Sequence, residues 1–259
     1  MTGLPRASRW ALIAAKAKAL AALAARRPAT MQVGSLLMAV ETTNDVGTIQ
    51  SSICDVHDDV LPDVFDTDSP VVIDVGANIG QFSSAVLLFA PAATVLAIEP
   101  DPVVHDRLAA NLAGAQGVRT SCSAAGAVRG VLPLGRAALA VMSTLRQDAL
   151  SGYDIVGSVD VQVERLDVLA EAYPAVDLLK IDVEGFEIEA LQGSHELLTR
   201  TRFLLIELGL GRDPARPNLD VLAAIREVCP RSRIVRFGRA LGDPDRPLCQ
   251  DVLLELWPS

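Results

Sequence analysis

Three stretches of this sequence carry residue types and spacings that can do chemistry. The first is VVIDVGANIG, residues 71 to 80, where a short apolar run meets Asp74 and then Gly76, Asn78 and Gly80 before the helix-like QFSSAVLLF. Glycines at 76 and 80 let backbone approach a ligand where a Cβ would collide. The second is ATVLAIEP, whose Glu99 stands roughly twenty residues past the glycines, where an acid can chelate a ribose diol. The third is LLKIDVEG, in which Lys180, Asp182 and Glu184 share one side of an extended chain. Glu207 ends the next apolar run, RFLLIEL, and can join them.

The glycine turn and Glu99 together read as a site for an adenosine-containing ligand, more firmly than they say which one. A nicotinamide site would want G-x-G-x-x-G facing a pyrophosphate. Here Gly80 is followed by Gln81 and Phe82, and that spacing is absent. A recognisable Tyr-x-x-x-Lys pair is missing too, which disfavours a nicotinamide oxidoreductase. Acids at 182, 184 and 207 can hold Mg²⁺ through oxygen ligands, or one of them can take a proton as a general base. The bland role for Glu184 is a charge at the start of the helix after Gly185, and for Lys180 a salt bridge. His57, in SSICDVHDDV, is the histidine candidate for a base, because His105 and His195 fall within helical runs.

These residues need a scaffold that gathers strand ends. From residue 71 the chain alternates: VVIDV, a helix through Phe89, ATVLAIEP, a helix capped by Asp101 and opened by Pro102, then VRTSCS. Such alternation means βαβ units and a parallel sheet. Residues 124–165 break the rhythm as a hairpin insertion or a loop over the site. The alternation returns with VDLLKIDV, a helix FEIEALQGSHELLTR, RFLLIEL and a helix near LDVLAAIREV. RIVRF and DVLLELW follow with no clear helix between them, which predicts an antiparallel last strand. In open sheets of this kind ligands bind at the carboxyl ends of the strands.

Composition narrows the function further. A formal charge of −9 argues against a nucleic-acid partner. Six Lys or Arg and no acid precede Glu41, which leaves about −15 on the remainder of a chain totalling −9. The Ala-rich WALIAAKAKALAALAARR has strong helix propensity. Ile13, Leu20 and Leu23 share a face, and docking on the acidic body is preferred over membrane-surface binding. Lys16 and Lys18 interrupt what would be the apolar centre of a signal peptide. No run is long enough to span a bilayer. Four scattered cysteines without a CxxC pair fit a cytoplasmic protein with small apolar core thiols rather than a zinc site. QVGSLLMAV can pack against the chain's own core or against a second copy in a homodimer.

VVIDVGANIG, AIEPDP, the run VERLDVLAEAYPAVDLLKIDVEGFEIEALQGSHELL and LLIEL, in that order, resemble the FkbM family of S-adenosylmethionine-dependent methyltransferases. The resemblance covers approximately residues 70–210; residues 1–69 and about 124–157 match nothing in it. It implies an α/β class I methyltransferase (Rossmann-like) sheet of seven strands with the last antiparallel. The methyltransferase domain would occupy residues 70–259 and an N-terminal helical extension, substrate-facing or oligomerising, residues 1–69. It implies a donor site in which Asp74, Gly76, Asn78 and Gly80 line the methionine side and Glu99 holds the ribose. Ser123 and Ala124 would lie near the adenine, with Asp182 also at the cofactor. Asp182, Glu184 and His57 are the candidate catalytic residues, and Asp182 with Glu207 the candidate Mg²⁺ ligands. The expected reaction is O-methylation of a small-molecule natural product, sugar or glycoside; nitrogen or carbon acceptors on the same scaffold are the alternative. A DPPY-like tip is absent, in keeping with an acceptor other than a nucleic acid.

Overall fold

The computed structural model describes residues 6–53, 60–137, 145, 155–209, 219–237, 241–243 and 246–257. The chain begins with α1 (Arg6–Ala24), the hairpin β1 (Ala29–Val33) and β2 (Leu36–Val40), then α2 (Thr43–Ser51) and α3 (Leu61–Val64). The first βαβ units are β3 (Val71–Val75), α4 (Gln81–Phe89), β4 (Thr94–Ile98), α5 (Pro102–Leu112) and β5 (Val118–Ser121). An insertion follows, made of β6 (Ala124–Ala125), β7 (Gly130–Ala137) and β8 (Ile155–Glu164), and then α6 (Leu166–Leu169). The remainder is β9 (Val176–Ile181), α7 (Glu187–Gln192), α8 (His195–Thr199), β10 (Thr201–Gly209), α9 (Leu219–Val228), β11 (Arg233–Phe237), β12 (Leu241–Asp243) and β13 (Arg246–Glu255).

The main sheet runs β11-β13-β10-β9-β3-β4-β5, with the short β12 also paired to β13. β13 is antiparallel to both β10 and β11, while β3, β4, β5, β9 and β10 run parallel. This is the seven-stranded mixed sheet that the resemblance implies, with its last strand reversed. Side-chain alternation splits the strands between two cores. Val72, Val95, Leu178 and Leu205 face a cluster shared with α1, α2, α4, α5 and the hairpin. Ile73, Leu96, Leu179 and Leu204 face a second cluster under α6 to α9. Asp74 and Lys180 are register partners on β3 and β9, on the first of these faces.

Four expectations change. The N-terminal segment is not helical throughout, because QVGSLLMAV folds as the β1–β2 hairpin around Gly34 at φ +55°. A two-residue turn of this kind needs positive φ, which glycine supplies. The hairpin buries Val33, Leu36, Met38 and Val40 against the chain's own core. On α1 the inward residues are Leu12, Ala15, Ala19, Leu20, Ala22 and Leu23, whereas Ile13 is exposed. The helix lies against β1 and α2, and the Lys16 ammonium donates to the Gln50 side-chain carbonyl. Among the described residues no helix is long and apolar enough to cross a membrane.

Lastly, FEIEALQGSHELLTR is two helices, not one. The break falls at Gly193, where an added Cβ would lie 2.0 Å from the Gly126 carbonyl oxygen. That close approach locks the insertion onto the helical layer. The insertion is a three-stranded sheet, order β6-β8-β7, with β7 and β8 antiparallel. Cys229 is buried as expected, but Cys122 is exposed at the end of β5.

Candidate active site

The site forms where β3, β4 and β9 end side by side. After β3 the chain turns through Gly76 at φ +77°, Asn78 at φ +49° and Gly80 at φ +96°. A Cβ on Gly76 would sit 1.8 Å from the Asp182 backbone oxygen, so the glycine turn lies directly against the tip of β9. Only glycine is free of that clash, and asparagine is among the few others that enter the left-handed region readily. Asn78 closes its own turn, its Oδ1 accepting from the Ile79 amide at 2.7 Å. The Gly76 and Ala77 amides both donate to the Ile98 carbonyl, at 3.0 and 2.9 Å, and tie the turn to β4.

Glu99 is buried at the end of β4, and both its oxygens are engaged. Oε2 accepts from the Asn78 amide at 2.9 Å and Oε1 from the Asp101 amide at 3.0 Å. Burial pushes the Glu99 carboxyl up to about 7 against those two amides, and the nearby Asp101 and Asp74 charges add to the rise. Asp101 caps α5 through the Val103 amide, as the sequence predicts. Burial opposes its charge, yet the Arg136 guanidinium and the helix amides outweigh that and hold Asp101 below the usual carboxylate range. Arg136 grips it through two bonds, at 2.5 and 2.7 Å. β7 of the insertion therefore anchors the loop that carries Glu99. Beyond β5, the Ser121 hydroxyl donates to that of Ser123 at 3.3 Å, and Ala124 is buried in β6. The Glu99 amide donates to the Ser121 carbonyl at 3.0 Å, which sets this segment beside Glu99.

The remaining acids surround a buried lysine. Asp74 is fully buried, and its Oδ2 accepts from the Ser83 hydroxyl at 2.7 Å. Its Oδ1 has no hydrogen bond and faces the Lys180 ammonium at 3.4 Å. The same ammonium lies 3.1 Å from Asp182 Oδ2 and 3.5 Å from the Gly76 carbonyl oxygen. Burial disfavours this charge, but the Asp182 and Asp74 carboxylates outweigh it and raise Lys180 above the ordinary lysine range. Lys180 is thus no base at neutral pH.

Asp182, Glu184 and Glu207 bring one carboxylate oxygen each within 4.8 Å of one another. Glu184 sits in a left-handed turn at φ +51°. Glu187, in the first turn of α7, accepts from the Gly185 amide through its Oε1 at 2.9 Å. Burial pushes the Glu187 carboxyl up.

The structure thus brings Asp74, Gly76, Asn78, Gly80, Glu99, Ser123, Ala124, Asp182, Glu184 and Glu207 to one edge of the sheet. His57 lies outside the described residues. His105 stands apart in α5, its Nε2 3.1 Å from the Thr120 hydroxyl, and His195 opens α8. Arg129 is a solvated arginine 3.6 Å from Glu164. No local pattern in the sequence marks Arg136 or Ser83, since their partners lie on other elements.

A family model described as the methyltransferase FkbM domain matches residues 74–228. The methyltransferase sdnD of Sordaria araneosa is 36% identical over 159 residues, 49% of this chain and 61% of that protein. The 2-O-methyltransferase NoeI of Sinorhizobium fredii is 32% identical over 178 residues, 61% of this chain and 73% of the relative. Among solved structures, the methyltransferase FkbM from Methylobacillus flagellatus KT superposes with a TM-score of 0.50 at 16% identity, covering 81% of this chain and 59% of its own. The chain therefore spans about three fifths of the first relative and of the solved neighbour.

Proposed function

We propose, from the premise that this chain belongs to the FkbM methyltransferase family, that it moves a methyl group from S-adenosylmethionine to a hydroxyl of a sugar, glycoside or other small natural product. The observation that carries this reading is the convergence of the glycine turn, the buried Glu99 and the acidic tip at 182–184 on one edge of the sheet. The oxygen acceptor draws support from the 2-O-methyltransferase among the relatives.

The residues present suit the donor. Each Glu99 oxygen accepts one loop amide and has a second lone pair to offer a ribose diol. Asp74 has a buried oxygen without a hydrogen bond, beside the glycine turn on the methionine side. Ser123 and Ala124 border the adenine side. When bound, the donor supplies a methyl on a sulfonium: the S–CH₃ bond breaks with its electron pair left on sulfur as an O–CH₃ bond forms. Asp182 or Glu184 takes the hydroxyl proton, with Glu207 beside them. Positioning and proton removal are this chain's share of the work. The same three acids present oxygen ligands of the kind Mg²⁺ takes, and a metal dependence belongs to the test.

Calorimetric titration with S-adenosylhomocysteine, beside NAD and NADP and with and without Mg²⁺, tests the donor. Micromolar binding of the first alone is the expected result, and binding of a nicotinamide cofactor instead overturns the reading. Mass spectrometry of a hydroxyl-acceptor panel then identifies the methylated atom.

A further inference from the structure

We propose that Lys180 sets the charge at the methyl-donor end of the site, so that the sulfonium donor is not held much more tightly than its neutral thioether product. This rests on the S-adenosylmethionine reading above. It starts from how completely the ammonium is used. A lysine has three N–H donors and no acceptor, and three oxygens surround this one, two as hydrogen-bond acceptors and one as an ion-pair partner. They are Asp182 Oδ2 at 3.1 Å, Asp74 Oδ1 at 3.4 Å and the Gly76 carbonyl at 3.5 Å. The Phe82 ring closes another side, 5.5 Å from the nitrogen to the centroid. The side chains of Asp74 and Lys180 are 0% and 12% exposed, so water screens this pair little.

The electrostatic consequence follows from the reaction. Methyl transfer takes the positive charge off sulfur. Two carboxylates without a cation would favour the sulfonium over both the transition state, where that charge is dispersing, and the thioether product. Binding the ground state more tightly than the transition state slows the chemical step. With Lys180 in place the two carboxylates and one ammonium carry a single net negative charge, yet both carboxylates remain held for their work. Lys180 is a positioning residue in this scheme: it acts through Asp74, Asp182 and the turn at Gly76.

The test is the ratio of the S-adenosylhomocysteine to the S-adenosylmethionine dissociation constant, measured by calorimetry on the full chain with thermal melts alongside. Lys180→Met should shift that ratio about tenfold toward the sulfonium, the scale of one unbalanced charge in a partly buried site. Lys180→Met combined with Asp182→Asn should bring it back toward the wild-type value, an outcome that loss of packing alone does not give. An unchanged ratio in a folded Lys180→Met protein overturns the proposal. If Lys180→Met does not fold, Asp182→Asn alone reads the same balance from the other side and should lower the preference for the sulfonium; no change there is equally fatal. Wild-type chain that binds neither ligand removes the donor reading itself, and this inference with it.

Discussion

Glu99 carries the clearest residue-scale consequence. Its carboxyl lies near 7 because burial outweighs two amide hydrogen bonds. Ribose hydroxyls donate to an ionised carboxylate, so the binding-competent fraction rises with pH through about 7. S-adenosylhomocysteine affinity should tighten about tenfold between roughly pH 6 and pH 8 and level off above, since apparent affinity scales with the competent fraction. Glu99→Gln should bind more weakly and flatten that dependence in calorimetry; a slope that survives the substitution would assign it to another group. Glu184 tests the acceptor side. Glu184→Gln should leave S-adenosylhomocysteine affinity near wild type and lower turnover about 100-fold or more, the loss expected when a general base is removed. Full turnover would pass the base role to Asp182 or Glu207. These acids were legible because a strand end and a glycine turn are local patterns. Ser83 and Arg136 were not, because each acts on a residue of another element: Ser83 on Asp74 of β3, Arg136 on the cap of α5.

At the scale of elements, periodicity revealed β3, β4, β9 and β10 because buried parallel strands read as short β-branched runs between helices. It failed where a contact distant in sequence decides the outcome. EALQGSHELL has a continuous helical pattern, yet it breaks after α7 because the Gly193 backbone is pressed against the Gly126 carbonyl. The hairpin was missed for a related reason, since QVGSLLMAV is apolar enough to serve as either a helix or a buried strand pair. Gly193→Ala offers a direct check. The added methyl would enter a 2.0 Å gap to backbone oxygen, with the Arg165 Cα only 3.3 Å away, so backbone must move. Stability should fall by ~1–3 kcal/mol, the usual cost of overpacking. The Asp167 amide, which donates to the Gly193 carbonyl at 2.9 Å, should lose hydrogen-exchange protection in the same variant. A melt identical to wild type would mean that the two glycines are not in contact in solution.

For the whole molecule, the question is whether the N-terminal segment is an appendage or part of one folding unit. Its charge suggests an appendage, with six cations before the first acid at Glu41. Its packing says otherwise. Met31, Met38, Val46, Ile49 and Leu61 belong to the same buried cluster as Val72, Phe82, Val86, Val95 and Leu108 of the sheet and its helices. Polar ties cross the same boundary: Asn111 of α5 accepts from the Ala39 amide at 2.7 Å, and Arg107 meets Asp45 at 2.6 Å. Asn111 also donates to the Ile79 carbonyl at 2.9 Å, so one side chain links the hairpin to the turn that carries Asn78. A shared core makes unfolding cooperative across the boundary. Met38→Ala, which empties a position of 0% exposure, should therefore cost ~2–5 kcal/mol and lower the single melting transition of the whole chain. Far-UV circular dichroism and S-adenosylhomocysteine binding followed on one temperature ramp should move down together. If Met38→Ala instead produces two transitions, with ligand binding lost only in the second, the segment folds apart from the sheet and the glycine turn does not depend on it.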